Sequence, residues 1–227
     1  MTLKIACLHA HESNIAYINR IRLPEGLSLS WVHYVDPGLL ARRGSDASFT
    51  DEQAGTHVLE QLEWMAKAGA DAILVTCTNY IALLDDARLA VKLPILKIDE
   101  PFFEEICRHA GRQALLFTNP ATVEGTTSRL YDYAEGNGYA RPQIETVVLP
   151  EAFDLIMRGQ QEAYQDAVER ELRRLVDTDP ARPVLAAQLS MVDAAIRTEH
   201  ARGIRVGHPM RPLEDAVAEL ILALDRQ

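Results

Sequence analysis

The sequence predicts an α/β protein of two pseudosymmetric, Rossmann-like lobes, each a parallel four-stranded sheet, and three observations point there. Short apolar runs alternate with longer amphipathic ones along the whole chain, as in strands joined by helical crossovers on both faces of a sheet. The segment Asp71-Ala-Ile-Leu-Val-Thr-Cys77-Thr-Asn79-Tyr is echoed later by Arg182-Pro-Val-Leu-Ala-Ala-Gln188-Leu-Ser190-Met. Each copy then passes through a helix to a second strand and stops at a proline; Cys77 to Pro101 spans 24 positions and Gln188 to Pro209 spans 21. The expected division is 1–98 plus 210–227 for the first lobe and 99–209 for the second, with strand ends facing each other across a cleft that holds the active site. Any α/β protein repeats such units, so the echo alone leaves chance likeness open.

In chain order, the apolar run 4–8 is the first expected strand and the alternating run 27–35 the second, followed by an amphipathic helix at 51–68. The run at 72–76 is a buried strand, 80–91 a helix, 95–98 a strand and 102–110 a helix. The second half repeats the pattern, with a strand at 113–117, a helix at 123–137 and a strand at 143–148. Helices at 151–158 and 162–176 come next, then a strand at 183–187, a helix at 191–201, a strand at 204–206 and a closing helix at 212–224.

Composition narrows the function. The chain has 227 residues, 48% hydrophobic and 25% charged, values ordinary for a globular protein able to bury a sizeable core. A formal net charge of -10 repels polyanions, so nucleic acid is not an expected partner. The Arg42-Arg43 and Arg173-Arg174 pairs lack interleaved aromatics or glycines and fit solvated surfaces. Three cysteines, Cys7, Cys77 and Cys107, are too few for a disulfide framework, and no two share metal-ligand spacing with a histidine. No metal is therefore expected, no membrane span is present, and a reducing, cytoplasmic setting is the expectation.

The strand ends carry the chemistry. Cys77 follows a buried strand and opens a helix, at the sheet edge where open α/β proteins bind ligands and where a helix N-terminus lowers a thiol's pKa. As a small hydrophobe it also fits plain core packing. After the first strand comes His9-Ala-His11-Glu12-Ser13-Asn14, in which His9 fits a general base, while His11 and Glu12 equally suit a solvated loop or helix cap. The fifth strand ends in Thr118-Asn119-Pro-Ala-Thr122, whose hydroxyls and amides suit either a carboxylate or helix capping. His57 reads as a surface residue, and Trp31, Trp64, Phe102 and Phe103 as core or lobe-interface packing. No glycine-rich dinucleotide or phosphate loop and no nucleophile elbow occurs.

Taken together, Thr-Cys77-Thr-Asn79, Ile-Asp99-Glu100-Pro101, Phe-Thr118-Asn119-Pro-Ala-Thr122 and Ala-Gln188-Leu-Ser190-Met resemble the aspartate/glutamate/hydantoin racemase superfamily, which also contains maleate isomerase and arylmalonate decarboxylase. The resemblance covers nearly the whole chain. It implies a cofactor-independent isomerase of amino-acid metabolism without metal or pyridoxal phosphate, acting on a small carboxylic acid, and a homodimer or higher homo-oligomer. Cys77 falls on the first of the family's two proton-transferring cysteines. Thr78 and Asn79 match carboxylate-holding residues, and Thr118 and Thr122 match the hydroxyl-bearing turn of the other lobe, with Asn119 between them a further candidate for carboxylate contact. Gln188, with Ser190 beside it as a further substrate contact, stands where the family has its second cysteine, and glutamine does not exchange protons near neutral pH.

Three outcomes stay open on the sequence. His9 or His208 supplies the second acid/base and the chain racemises its substrate. One thiol suffices, as in a decarboxylase, a hydrolase or a cis-trans isomerase. Or the chain binds a small carboxylate without turning it over.

Overall fold

A computed structural model describes residues 2–85 and 88–226. The chain forms two units, Met1–Glu100 with Leu213–Gln227 (unit 1) and Pro101–Pro212 (unit 2).

Unit 1 is built on strands β1 (Leu3–His9), β2 (Leu29–Val35), β3 (Ala72–Val75) and β4 (Ile95–Lys97), all parallel, in the order β2-β1-β3-β4. Every side chain of β3 is buried, as a strand covered on both faces requires, whereas the edge strand β2 has no fully buried position. Helix α1 (Ser13–Ile18) follows β1, α2 (Gly38–Ser45) and α3 (Asp51–Lys67) follow β2, and α4 (Thr78–Ile81) follows β3. Thr50 and Gln53 close a reciprocal capping box that fixes the start of α3.

Unit 2 begins with most of α5 (Glu100–Cys107) and carries β5 (Arg112–Phe117), β6 (Gln143–Val148), β7 (Val184–Ala186) and β8 (Val206–Gly207). These are again parallel, in the order β6-β5-β7-β8. Its helices are α6 (Val123–Gly136), α7 (Pro150–Met157), α8 (Gln161–Thr178) and α9 (Val192–Arg202), and α10 (Met210–Leu224) closes the chain. The period of two along β5 divides the core. Leu115 and Phe117 pack with Phe102, Phe103, Ile106 and Leu130, while Leu116 packs with Tyr164, Val168 and Leu172.

The two sheets thus share one strand order. In each, the direction of building reverses between the first and third strands, at β1/β3 and β5/β7, and the crevice outside the carboxyl ends at that reversal is where such sheets hold ligands.

All eight expected strands form, and seven of the eight expected helices form at nearly the expected bounds. The helix expected at 80–91 is instead the single turn α4, with residues 86–87 outside those described. The segment beyond it packs by its backbone, since the Leu83 carbonyl lies against Gly55 of α3. Helices α1 and α2 were not expected. Phe102 and Phe103 are buried, but Trp64 is 70% exposed, which corrects the expectation that it packs in a core. Arg42, Arg173 and Arg174 pair with acidic neighbours three or four residues away, as solvated helix faces do. Among the described residues, no helix is long and apolar enough to cross a membrane.

Candidate functional site

In unit 1 the reversal point brings together the ends of β1 and β3. Cys77 is the N-cap residue of α4 in extended conformation, its carbonyl accepting from Tyr80 N and Ile81 N at 3.0 Å. Burial pushes its thiol above the ordinary value. The backbone amides of Tyr80 and Asn79 pull it down without offsetting burial, and the Asp99 carboxylate raises it further. The expected lowering by the helix start is therefore present but outweighed, and at neutral pH Cys77 is a thiol rather than a thiolate.

His9 is wholly buried, with both ring nitrogens occupied. Nδ1 lies 2.8 Å from Thr76 Oγ1, and Nε2 lies 2.9 Å from Nδ1 of His33, whose Nε2 is 3.0 Å from Asn19 Oδ1. Thr76 Oγ1 accepts from Asn14 Nδ2 and also lies 3.1 Å from the Leu8 carbonyl oxygen, so its one proton is shared between that carbonyl and His9 Nδ1, and the direction of the His9–His33 bond follows the tautomer. Burial, with His33 adding to it, lowers the His9 pKa to about 4. His9 is thus held neutral, with one nitrogen against Thr76, the residue before Cys77, and the other against His33. His11 Nδ1 accepts from Ser13 N at 3.1 Å at the start of α1.

The strand pairing adds a residue the sequence did not single out. Cys7 is the register partner of His33, and Cys7 and His9 share one face of β1. The Cys7 sulfur and one ring nitrogen each of His9 and His33 lie within 4.8 Å of one another, a donor set suited to a soft cation. The two histidines are nevertheless already joined at hydrogen-bond length, and burial holds the Cys7 thiol protonated.

Asp36, after β2, organises the next layer. Its carboxylate accepts from Gly38 N, Leu39 N, His57 Nε2 and Gln61 Nε2. These bonds outweigh the effect of burial and hold it below the usual carboxylate range. His57, read above as a surface residue, has a side chain 45% exposed and hydrogen-bonds Asp36 from Nε2, and the Tyr80 hydroxyl donates to the Asp36 carbonyl, tying α4 to the same loop. A pocket of about 760 Å³ beside α2 and α3 is lined by Asp36, Arg42, Phe49 and His57 among others, and Cys77 is not part of its lining.

In unit 2 the reversal point brings Thr118, after β5, against Gln188, after β7. The Gln188 Oε1 accepts from Thr118 N at 2.9 Å, Thr118 Oγ1 at 2.8 Å and Asn119 N at 3.3 Å. Asn119 Oδ1 accepts from Ala121 N, and the Thr122 hydroxyl donates to Asn119 O, so the capping use of this turn is realised. Ser190 Oγ lies 2.6 Å from the buried Tyr164 hydroxyl, itself 3.3 Å from Thr118 Oγ1. Thr118 and Ser190 are therefore joined in an internal network. Thr78 and Asn79 lie in the first turn of α4, half-buried. His208, at the end of β8, is 4% exposed, and its ring nitrogens have no hydrogen-bond partner among the described residues. Burial, then the positive charges of Arg211 and Arg205 against that of Glu199, brings its pKa to about 4.

Comparisons with known proteins agree with this architecture. Aspartate racemase from Picrophilus torridus superposes with a TM-score of 0.68 at 14% identity, over 98% of this chain and 94% of that one. Allantoin racemase from Klebsiella pneumoniae gives 0.66 at 18% identity, over 98% and 89%. A glycine-to-cysteine mutant of arylmalonate decarboxylase, in its sulfate-associated form, gives 0.57 at 15% identity, over 97% and 93%. No curated protein matches the sequence. A family model for Asp/Glu/Hydantoin racemase matches residues 22–212, which takes in both reversal-point turns, Thr76 to Tyr80 and Thr118 to Thr122, together with Gln188 and His208. The chain belongs to the Asp/Glu/hydantoin racemase family.

Proposed function

We propose that this chain is a cofactor-independent enzyme that transfers a proton at the carbon next to the carboxylate of a small carboxylic acid, with Cys77 as the acid/base. The observation that carries the reading is the setting of Cys77. It stands at the reversal point of a parallel sheet, half-buried, as the N-cap residue of α4 with no side-chain cap hydrogen bond, and burial keeps it protonated against the lowering effect of the Tyr80 and Asn79 amides. The thiolate form takes the α-proton to leave a carbanion or enediolate, the thiol so formed returns a proton to the same carbon, and the amides of Asn79 and Tyr80 favour the thiolate between the two steps.

Gln188 occupies in unit 2 the topological place that Cys77 has in unit 1, and it neither gains nor loses a proton near neutral pH. His9 is fully buried between Thr76 and His33 and serves as a positioning residue. Proton delivery from one face, through one thiol, is the chemistry these residues favour. Thr78 and Asn79 are assigned to the substrate carboxylate.

The test is hydrogen exchange in deuterated water, followed by NMR, with aspartate, glutamate, allantoin and an arylmalonate as substrates. The wild-type chain is expected to place deuterium at the α-carbon of at least one of them, in one configuration, and Cys77→Ala and Cys77→Ser to abolish it. Undiminished exchange in both variants would remove the thiol from the mechanism.

A further inference from the structure

The Gln188 carboxamide has only one way to face. Two of the three groups reaching its terminal atom, Thr118 N and Asn119 N, are backbone amides and only donate, so the atom they reach is the carbonyl oxygen. The interchange of oxygen and nitrogen that usually leaves a glutamine ambiguous is thereby settled. The Thr118 hydroxyl supplies the third bond to the same oxygen. Nε2 is turned away with both protons uncommitted among the described residues, and the side chain is only partly buried.

The scaffold behind this amide is fixed from two sides. The Tyr164 hydroxyl bridges Thr118 and Ser190, and Gln165 clasps the same turn, its Nε2 donating to Ser190 O at 2.8 Å and its Oε1 accepting from Ala194 N at 3.0 Å. Both anchors lie in the first turn and a half of α8 and are buried. The Gln188 oxygen is thus committed within the cluster, and what is left over is an amide donor already held in one orientation, so little ordering remains to be done on binding.

We propose that Gln188 is a one-way hydrogen-bond donor that selects, at the β7 end, ligands presenting a carboxylate or carbonyl oxygen, and rejects an ammonium group there. An ammonium carries three donors and no acceptor and finds nothing to bond at Nε2. The proposal rests on the preceding reading for the ligand being a small carboxylic acid, whose oxygen is the group that Nε2 meets.

Gln188→Glu isolates the point. Its carboxylate keeps an oxygen for the three inner donors and turns an anionic oxygen outward in place of the amide. Gln188→Met removes donor and acceptor together. Binding of malonate, succinate and glutarate to the full chain at pH 7 is measured by calorimetry, with thermal unfolding as the check on folding. Wild type is expected to bind at least one of these acids. The glutamate variant should keep the wild-type unfolding midpoint and bind about 10- to 100-fold more weakly, and the methionine variant about 10-fold more weakly. Should the glutamate variant fail to fold, the methionine variant decides. Binding within twofold of wild type in the deciding variant, or no binding of any of the three acids by wild type, overturns the proposal. Because the readout is binding, a failure of the Cys77 chemistry shows separately, as turnover that persists in Cys77→Ser.

Discussion

His208 makes acid sensitivity in unit 2 a quantitative matter. It lies at the end of β8, 4% exposed, with two unpartnered ring nitrogens and a pKa lowered from 6.5 to about 4, burial being the largest cause. Above pH 6.5 the ring is neutral in both folded and unfolded chains and contributes no pH dependence. As pH falls below 6.5 the unfolded chain takes up a proton that the folded chain refuses, so stability is lost until pH falls to about 4. The full interval corresponds to about 3 kcal/mol, and the part between pH 7.5 and 5 to about 2 kcal/mol.

His208→Met removes the titrating group and the two unpartnered nitrogens at similar volume, so at pH 7.5 the variant is expected to match or exceed wild type. At pH 5 its advantage should be larger by about 2 kcal/mol, because every other titrating group cancels in the difference. The assay must report on unit 2. Both tryptophans, Trp31 and Trp64, lie in unit 1, so their fluorescence follows the other unit. Urea unfolding by far-ultraviolet circular dichroism, with amide exchange at Leu185 and Val206 to localise the change, meets the need. Parallel loss of stability by wild type and variant between pH 7.5 and 5 would refute the argument.

Asp99→Asn should lower the Cys77 pKa, since the Asp99 carboxylate is one of the groups raising it; the pH profile of Cys77 alkylation by iodoacetamide is expected to move to lower pH, and an unchanged profile would count against that assignment. Wild-type Cys77 should alkylate slowly near pH 6 and accelerate only in the alkaline range. Gly55→Ala reverses a familiar sign. In an exposed helix interior alanine is worth about 1 kcal/mol over glycine, yet a Cβ at position 55 would sit 2.8 Å from the Leu83 carbonyl oxygen, so backbone must move. Unit 1 is expected to lose about 1–3 kcal/mol, read by tryptophan fluorescence in urea, and a stabilised variant would show that the Leu83 segment yields freely.

The fold was legible wherever burial governs. β3 reads as a strand because Ala-Ile-Leu-Val is buried on both faces, and β5 because successive residues feed two cores. Helices α1 and α2 were not, since six- and eight-residue helices carry little periodicity and are held by local locks instead, His11 accepting from Ser13 N and Asp36 from Gly38 N and Leu39 N. The place of Cys77 was legible, but the direction of its pKa was not. Amide donors and burial act with opposite signs, and only the three-dimensional surroundings say which is larger. His33 escaped notice because strand register, not sequence spacing, sets it against Cys7 and, diagonally, against His9.

The internal echo takes on a physical meaning at the two reversal points. In unit 1 the end of β1 is tied to the end of β3 by His9 and Thr76; in unit 2 the residue after β5, Thr118, is tied to Gln188 after β7. Each tie joins the ends of two neighbouring parallel strands, and each fixes the residue that the strand end presents. The ties differ in what they leave over. In unit 1 the tie ends on Thr76, one residue short of Cys77, and the thiol remains uncommitted. In unit 2 the tie ends on the Gln188 oxygen itself, so only the amide protons remain. One architecture, built twice, therefore presents at one sheet end a side chain that can change its charge and at the other a hydrogen-bond donor that cannot.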